Sequence, residues 1–187
     1  MRIIGGKVGG MRLTPFEGNR IRPTLDRVKE SLFSQIQPWL KDARFLDCFA
    51  GTGAIGLEAW SRGAKNIIFI EKEEPACDVI RTNIEKCKCT NTAMVLHSDA
   101  LQALSWMKDN KYWFDIIYVD PPFDPDLYDV FLEKLANSTV LEKNSVVIVE
   151  HYHKKTLNES YGNIFLSRQR KVGDTKLSFF GRQSLFK

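Results

Sequence analysis

The chain of 187 residues reads as an α/β protein built on a seven-stranded, mostly parallel sheet. Three observations predict this. From residue 45 onward, short apolar runs alternate with stretches of helical periodicity. Runs such as Ile67-Ile68-Phe69-Ile70 and Val146-Val147-Ile148-Val149 are continuously apolar, as strands covered on both faces are. Near the end, two strand-like runs are separated by Gly173-Asp174, which predicts an antiparallel closing hairpin.

Each element follows from its residues. Residues 2–6 and 9–13 surround glycine turns and predict a short N-terminal β-hairpin. A helix is expected to open at Arg22-Pro23-Thr24 with Thr24 as N-cap; Leu25, Val28, Leu32 and Ile36 recur on one face, and Pro38 lies near the end. Residues 45–49 form the first strand, and a glycine loop leads to a helix over 54–62, closed by Gly63. Residues 66–70 form the second strand. Pro75 sits in the first turn of the following helix, where its missing N–H is harmless, and that helix extends to about residue 88. Strands are expected at 93–97, 114–119 and 145–150, with helices at 100–108 and 126–137 between them. The hairpin strands cover 164–172 and 176–181.

Composition narrows the function. With 43% hydrophobic and 27% charged residues, the chain is neither disordered nor collagen-like. No apolar run approaches the roughly 20 residues that span a bilayer. Residues 1–6 lack the apolar core of a signal peptide, so a cytoplasmic protein without a membrane partner is expected. Cys48, Cys77, Cys87 and Cys89 lack paired C-x₂-C spacing and read as free thiols; His151-x-His153 reads as a strand-end pair, so no metal is expected. The net charge of +4 is unevenly spread. Residues 1–44 carry nine Lys/Arg against four Asp/Glu, residues 45–150 ten against seventeen, and residues 151–187 eight against two. Basic ends suit a polyanion such as nucleic acid; the acidic middle should hold something else.

The candidate site begins at Gly51-Thr52-Gly53-Ala54-Ile55-Gly56, a literal G-x-G-x-x-G between a strand and a helix, with Glu71 twenty residues after Gly51. That pattern fits a nicotinamide dinucleotide. The ends of successive strands, however, carry Asp47, Glu71, Asp99 and Asp120. In an open α/β sheet these ends meet in one crevice, and four carboxylates would repel a pyrophosphate. They suit a cation bearing hydroxyls, such as S-adenosylmethionine. On that reading Gly51 and Gly53 admit the ligand closely, Glu71 takes ribose hydroxyls, Asp99 with Ala100 meets the adenine, and Asp47 lies near the methionine end.

Asp120-Pro121-Pro122-Phe123 follows the fourth strand. Pro122 bars Pro121 from helical geometry and so fixes its carbonyl. Asp120 and that carbonyl form a rigid acceptor pair for a planar amine, and Phe123 can stack on the ring bearing it. Holding both amine hydrogens favours the pyramidal, nucleophilic form, and positioning supplies most of the rate.

These residues resemble the class I, Rossmann-like methyltransferases acting on amino nitrogens, and more narrowly the RsmD family, which makes N2-methylguanosine in small-subunit ribosomal RNA. The resemblance is carried by Arg2-Ile3-Ile4-Gly5-Gly6, Arg22-Pro23-Thr24-Leu25-Asp26-Arg27-Val28-Lys29-Glu30, Asp47-Cys48-Phe49-Ala50-Gly51-Thr52-Gly53, Gly56-Leu57-Glu58-Ala59, Ser61-Arg62-Gly63-Ala64 and Asp120-Pro121-Pro122-Phe123. Trp60 departs from it, standing where the family more often has a smaller aliphatic residue. The resemblance implies a basic hairpin extension over residues 1–23 and a methyltransferase domain over 24–187, working as a monomer. It implies Asp120, Pro121 and Phe123 as catalytic residues, and S-adenosylmethionine held by Asp47, Gly51, Gly53, Glu71, Asp99 and Ala100. Arg2, Lys7, Arg12, Arg22, Arg168 and Arg170 would then bind phosphates of ribosomal RNA or of a small-subunit particle. Other readings are adenine N6 or a protein amide nitrogen as acceptor, a nicotinamide-dependent oxidoreductase, and a non-catalytic RNA-binding module.

Overall fold

The computed structural model describes residues 1–16, 26–122 and 125–182. Thr24, expected to cap the first helix, lies outside them. The elements are α1 (Asp26–Leu40), β1 (Arg44–Cys48), α2 (Ala54–Ser61), β2 (Asn66–Glu71), α3 (Glu74–Cys87), β3 (Ala93–His97), α4 (Ala100–Asp109), β4 (Phe114–Val119), α5 (Pro125–Ala136), β5 (Leu141–Tyr152), β6 (Ser160–Tyr161), β7 (Ile164–Val172) and β8 (Thr175–Gly181). They form one sheet in the order β3-β2-β1-β4-β5-β8-β7-β6. The first five are parallel, and β8, β7 and β6 extend the sheet antiparallel.

Alternating side chains send each strand's residues to two cores. Phe45, Phe69, Ile116, Tyr118, Val146, Ile148, Leu177 and Phe179 face α1, α2 and α3. Leu46, Cys48, Ile70, Ile117, Val119, Val147, Val149 and Phe180 face α4 and α5. Burial on both sides is why these strands carry no alternating polar positions. In α1, Val28, Leu32, Phe33, Ile36 and Leu40 are buried at helical spacing, and Pro38 is tolerated in the last turn. Among the described residues no helix is long and apolar enough to cross a membrane.

Three details differ from the sequence reading. The sheet has eight strands, because Ser160–Tyr161 adds a two-residue strand against β7. Its Tyr161 is buried and donates its hydroxyl to Asp129 at 2.5 Å, a non-local contact that no apolar run signals. Strand β5 starts at Leu141 instead of residue 145, since Glu142, Lys143 and Asn144 are exposed along a register shift between Phe114 and Ile116. Ser145 holds this irregular entry, donating to Phe114 O at 2.6 Å and accepting from Glu142 N at 2.7 Å. The N-terminal hairpin is a single bridge, Arg2 to Arg12, in place of two strands.

That hairpin is nevertheless firmly docked. Ile3 and Leu13 are buried in the core. Glu58, wholly buried on α2, accepts from Ile4 N (2.7 Å), Gly5 N (2.9 Å) and Arg62 Nε (2.6 Å). The fully buried Asn83 of α3 accepts from Thr14 N (2.7 Å) and donates to Thr52 O (3.1 Å), tying the hairpin's end to the glycine loop.

Candidate active site

The carboxyl ends of β1, β2, β4 and β5 carry Asp47, Glu71, Asp120 and Glu150, and all four continue the strand faces turned toward α1–α3. The loop between β1 and α2 turns sharply here. Gly51 and Gly53 have φ of 56° and 75°, in the left-handed region open to glycine at little cost. Phe49, at the start of the loop, has φ of 62°, a conformation costly for an aromatic residue. Its ring is anchored edge-on against Phe131 at 5.3 Å.

Two carboxylates brace this loop from below. Glu71 accepts from Gly51 N at 2.7 Å through one oxygen, and from Lys72 N (2.8 Å) and Glu73 N (2.9 Å) through the other. Asp47, 2% exposed, accepts from Gly56 N at 2.8 Å. Burial pushes the Asp47 carboxyl up to about 8; the Gly56 N–H opposes this and neighbouring Glu71 adds to it. Asp99 caps α4, accepting from Leu101 N at 2.9 Å, and Ala100 behind it is buried. The structure thus brings Asp47, Gly51, Gly53 and Glu71 together, with Asp99 and Ala100 two strands away at the end of β3.

On the other side of β1, Asp120 leaves β4 half-buried, Pro121 is buried and Pro122 exposed. Phe123 lies outside the described residues. Tyr118, 1% exposed, donates its phenol to Glu150. Burial, then the charges of Glu150 and Asp120, holds this phenol protonated far above its usual range. Neither Tyr118 nor Glu150 stood out in the sequence. Glu150 carried the one usable signal: it ends the fifth apolar run as the other acids end theirs.

A cationic donor fits this arrangement. The loop approaches without side chains at Gly51 and Gly53, and the buried Asp47 carboxyl meets the Gly56 N–H and, among the described residues, no cation. The His151-x-His153 pair goes elsewhere: His151 is buried with Ser178 Oγ at 2.8 Å, and burial, helped by the charges of Lys176 and Lys155, lowers its imidazole to about 4, while His153 meets Asp174 O at 3.1 Å. All four cysteines are buried free thiols.

Five of the basic residues singled out from sequence are exposed. Arg2 pairs with Asp26 at 3.2 Å, Lys7 lies 5.1 Å over the Trp60 ring, and Arg12 is exposed beside them. Trp60 thus gives the hairpin lysine an aromatic seat. Arg168 and Arg170 are exposed on β7, with Arg170 paired through Leu177 to the level of Glu150. The Arg27 guanidinium closes over Gly173 in the β7–β8 turn, so α1 starts at the same end of the sheet. Arg22 lies outside the described residues.

Comparison with known proteins agrees with this geometry. The family described as Conserved hypothetical protein 95 matches residues 1–181. Ribosomal RNA small subunit methyltransferase D of Escherichia coli K12 is 34% identical over 184 residues, covering 98% of this chain and 91% of that protein. The Haemophilus influenzae protein of the same name is 34% identical, covering 84% and 81%. Among solved structures, Escherichia coli yhhF superposes with a TM-score of 0.86 at 33% identity over 98% of both chains. With a doubly covered sheet, a glycine loop after β1 and an Asp-Pro-Pro turn after β4, the chain belongs to the Conserved hypothetical protein 95 family, the RsmD-type RNA methyltransferases.

Proposed function

We propose that the protein methylates the exocyclic N2 amine of a guanine in small-subunit ribosomal RNA, with S-adenosylmethionine as donor. One observation carries the reading: the Asp120-Pro121-Pro122 turn stands on β4, immediately beside β1 and its glycine loop. Acceptor and donor sites therefore adjoin. The names of the full-length relatives support the ribosomal substrate.

When bound, the cofactor supplies an electrophilic methyl on a sulfonium. Gly51, Gly53 and Glu71 would hold its ribose side, Asp99 and Ala100 its adenine, and Asp47 its cationic end, where the positive charge of the donor would itself favour the ionised carboxylate. Asp120 and the Pro121 carbonyl would accept the two amine hydrogens, keep the nitrogen pyramidal and aim its lone pair. Asp120 then stands nearest the proton that the methylated amine releases. Arg2, Lys7, Arg12, Arg168 and Arg170 would contact phosphates and set the register of the RNA.

The test is labelled methyl transfer to small ribosomal subunits from a strain lacking the enzyme, followed by nucleoside analysis. Label in N2-methylguanosine is expected; label in adenine or in protein, or none, refutes the proposal. Asp120→Asn should cut transfer by about 10²–10³-fold while cofactor affinity stays within a factor of about two.

A further inference from the structure

Glu150 stands at this end of the sheet beside Asp120, and the proposed reaction gives it no role. Strands β4 and β5 pair Tyr118 with Ile148 and Val119 with Val149. One more step of that register sets Asp120 beside Glu150. Tyr118 and Ile148 both face the α1–α3 core, so Asp120 and Glu150 emerge on the same face. Adjacent strands lie about 4.8 Å apart. Two acceptors at that spacing can meet neighbouring donors on one edge of a base.

Tyr118 fixes the direction of Glu150. Its ring is locked in the core and its hydroxyl donates to Glu150 Oε2. An ionised carboxylate has about four lone-pair positions, and the Tyr118 hydroxyl takes one on Oε2. Glu150 is half-buried, within reach of a base entering beside Asp120.

A guanine offers N2–H₂ and N1–H side by side, whereas an adenine offers an N1 lone pair at the matching place. Resting on the guanine reading above, we infer that Glu150 accepts the N1–H of the target guanine while Asp120 and the Pro121 carbonyl hold its amine. Glu150 is then a specificity-determining residue. A base with a bare N1 would set a lone pair against a carboxylate, and sites built around a hydrogen bond reject such analogues strongly.

The test compares two otherwise identical small-subunit RNAs, reconstituted into particles, with guanine or 2-aminopurine at the modified position. 2-Aminopurine keeps the N2 amine but lacks the N1 hydrogen. The wild-type protein should prefer guanine by at least about tenfold in kcat/KM. Glu150→Gln can turn an amide N–H toward a bare N1, so its preference should shrink by about tenfold or more. Loss of activity on both RNAs by the same factor overturns the inference, as does a wild-type protein that does not discriminate. A wild-type protein that labels neither RNA overturns the guanine reading, and the role of Glu150 with it. Thermal melting without cofactor checks the fold of Glu150→Gln. If that variant does not fold, Glu150→Asp is read instead. It withdraws the charge by one methylene and should lose more on guanine than on 2-aminopurine; an unchanged ratio overturns the inference.

Discussion

Replacing Glu71 with Gln separates the scaffold role of this side chain from its proposed ligand role. In the structure one carboxylate oxygen accepts from Gly51 N at 2.7 Å, and the other from Lys72 N and Glu73 N at 2.8 and 2.9 Å. A glutamine has one acceptor oxygen. Whichever way it turns, its NH₂ faces a backbone N–H. Lys72 and Glu73 are exposed and can turn to water; Gly51 is buried and cannot. One poorly satisfied donor costs about 1–2 kcal/mol. For a chain of this size that lowers Tm by roughly 2–8 °C. The second effect is on the cofactor. Donor at 100 times its Kd should stabilise the wild-type protein by about 2.7 kcal/mol. If the ribose bonds to Glu71 are worth about ten- to a hundredfold in affinity, the same concentration stabilises the variant by only about 0.4–1.4 kcal/mol. Thermal unfolding with and without S-adenosylmethionine reads both numbers. A variant that melts lower yet keeps the full cofactor-induced shift refutes the ribose role; one that melts like wild type refutes a stabilising role for bonding through both carboxylate oxygens.

Three further outcomes follow from single contacts. Asp47 has its folded-state carboxyl raised from 3.8 to about 8, so the folded chain keeps a proton that the unfolded chain has lost, and stability falls as pH climbs from about 4 to 8. Asp47→Asn still accepts from Gly56 N; it should melt above wild type at pH 9, lose that advantage toward pH 4, and bind S-adenosylmethionine more weakly, by Tm against pH and calorimetry. Glu58→Ala strands Ile4 N, Gly5 N and the Arg62 guanidinium, costing about 3–5 kcal/mol and exposing residues 1–13 to limited proteolysis. Arg170→Ala should weaken RNA binding for all sequences alike and reduce the slope of log K against log salt by about 0.7–0.9, leaving cofactor affinity unchanged.

What could be read in the sequence was what short-range pattern determines. Ile67-Ile68-Phe69-Ile70 and Ile116-Ile117-Tyr118-Val119 are strands because they are apolar throughout, and Asp120 was placed because it ends one of them. The start of β5 was hidden because Glu142-Lys143-Asn144 is polar; it is held by Leu141 pairing with Phe114 and by the bond from Ser145 to Phe114 O across the sheet. The N-terminal segment showed its glycines but not that Glu58, over fifty residues away, would take its backbone N–H groups in place of a second strand. The same limit applied at the site. That Glu71 lies at a strand end was visible; that it grips Gly51 depends on β1 pairing with β2. Glu150 depends on the β4–β5 register, which sits beyond a register shift.

The register also accounts for the uneven charge of the chain. At the level of Asp120 one row runs across the sheet through Glu150 on β5 and Leu177 on β8 to Arg170 on β7. Strands are about 4.8 Å apart, so the sign of charge reverses within about 15 Å, less than two Debye lengths at physiological salt. An acidic pocket and a basic rim so close would attract each other's ligands if both were open and flexible. Here the acids are engaged: Glu71 by three backbone N–H groups, Asp47 by Gly56, Glu150 by Tyr118. Arg170 on β7 is exposed to water. On the proposed function a phosphate chain would meet the rim, where desolvation is slight, and be kept from the pocket, where carboxylates would repel it. A neutral base can enter between them with its amine toward Asp120. On that reading one strand register separates the proposed cation site from the proposed polyanion site, with the buried Leu177 between Glu150 and Arg170.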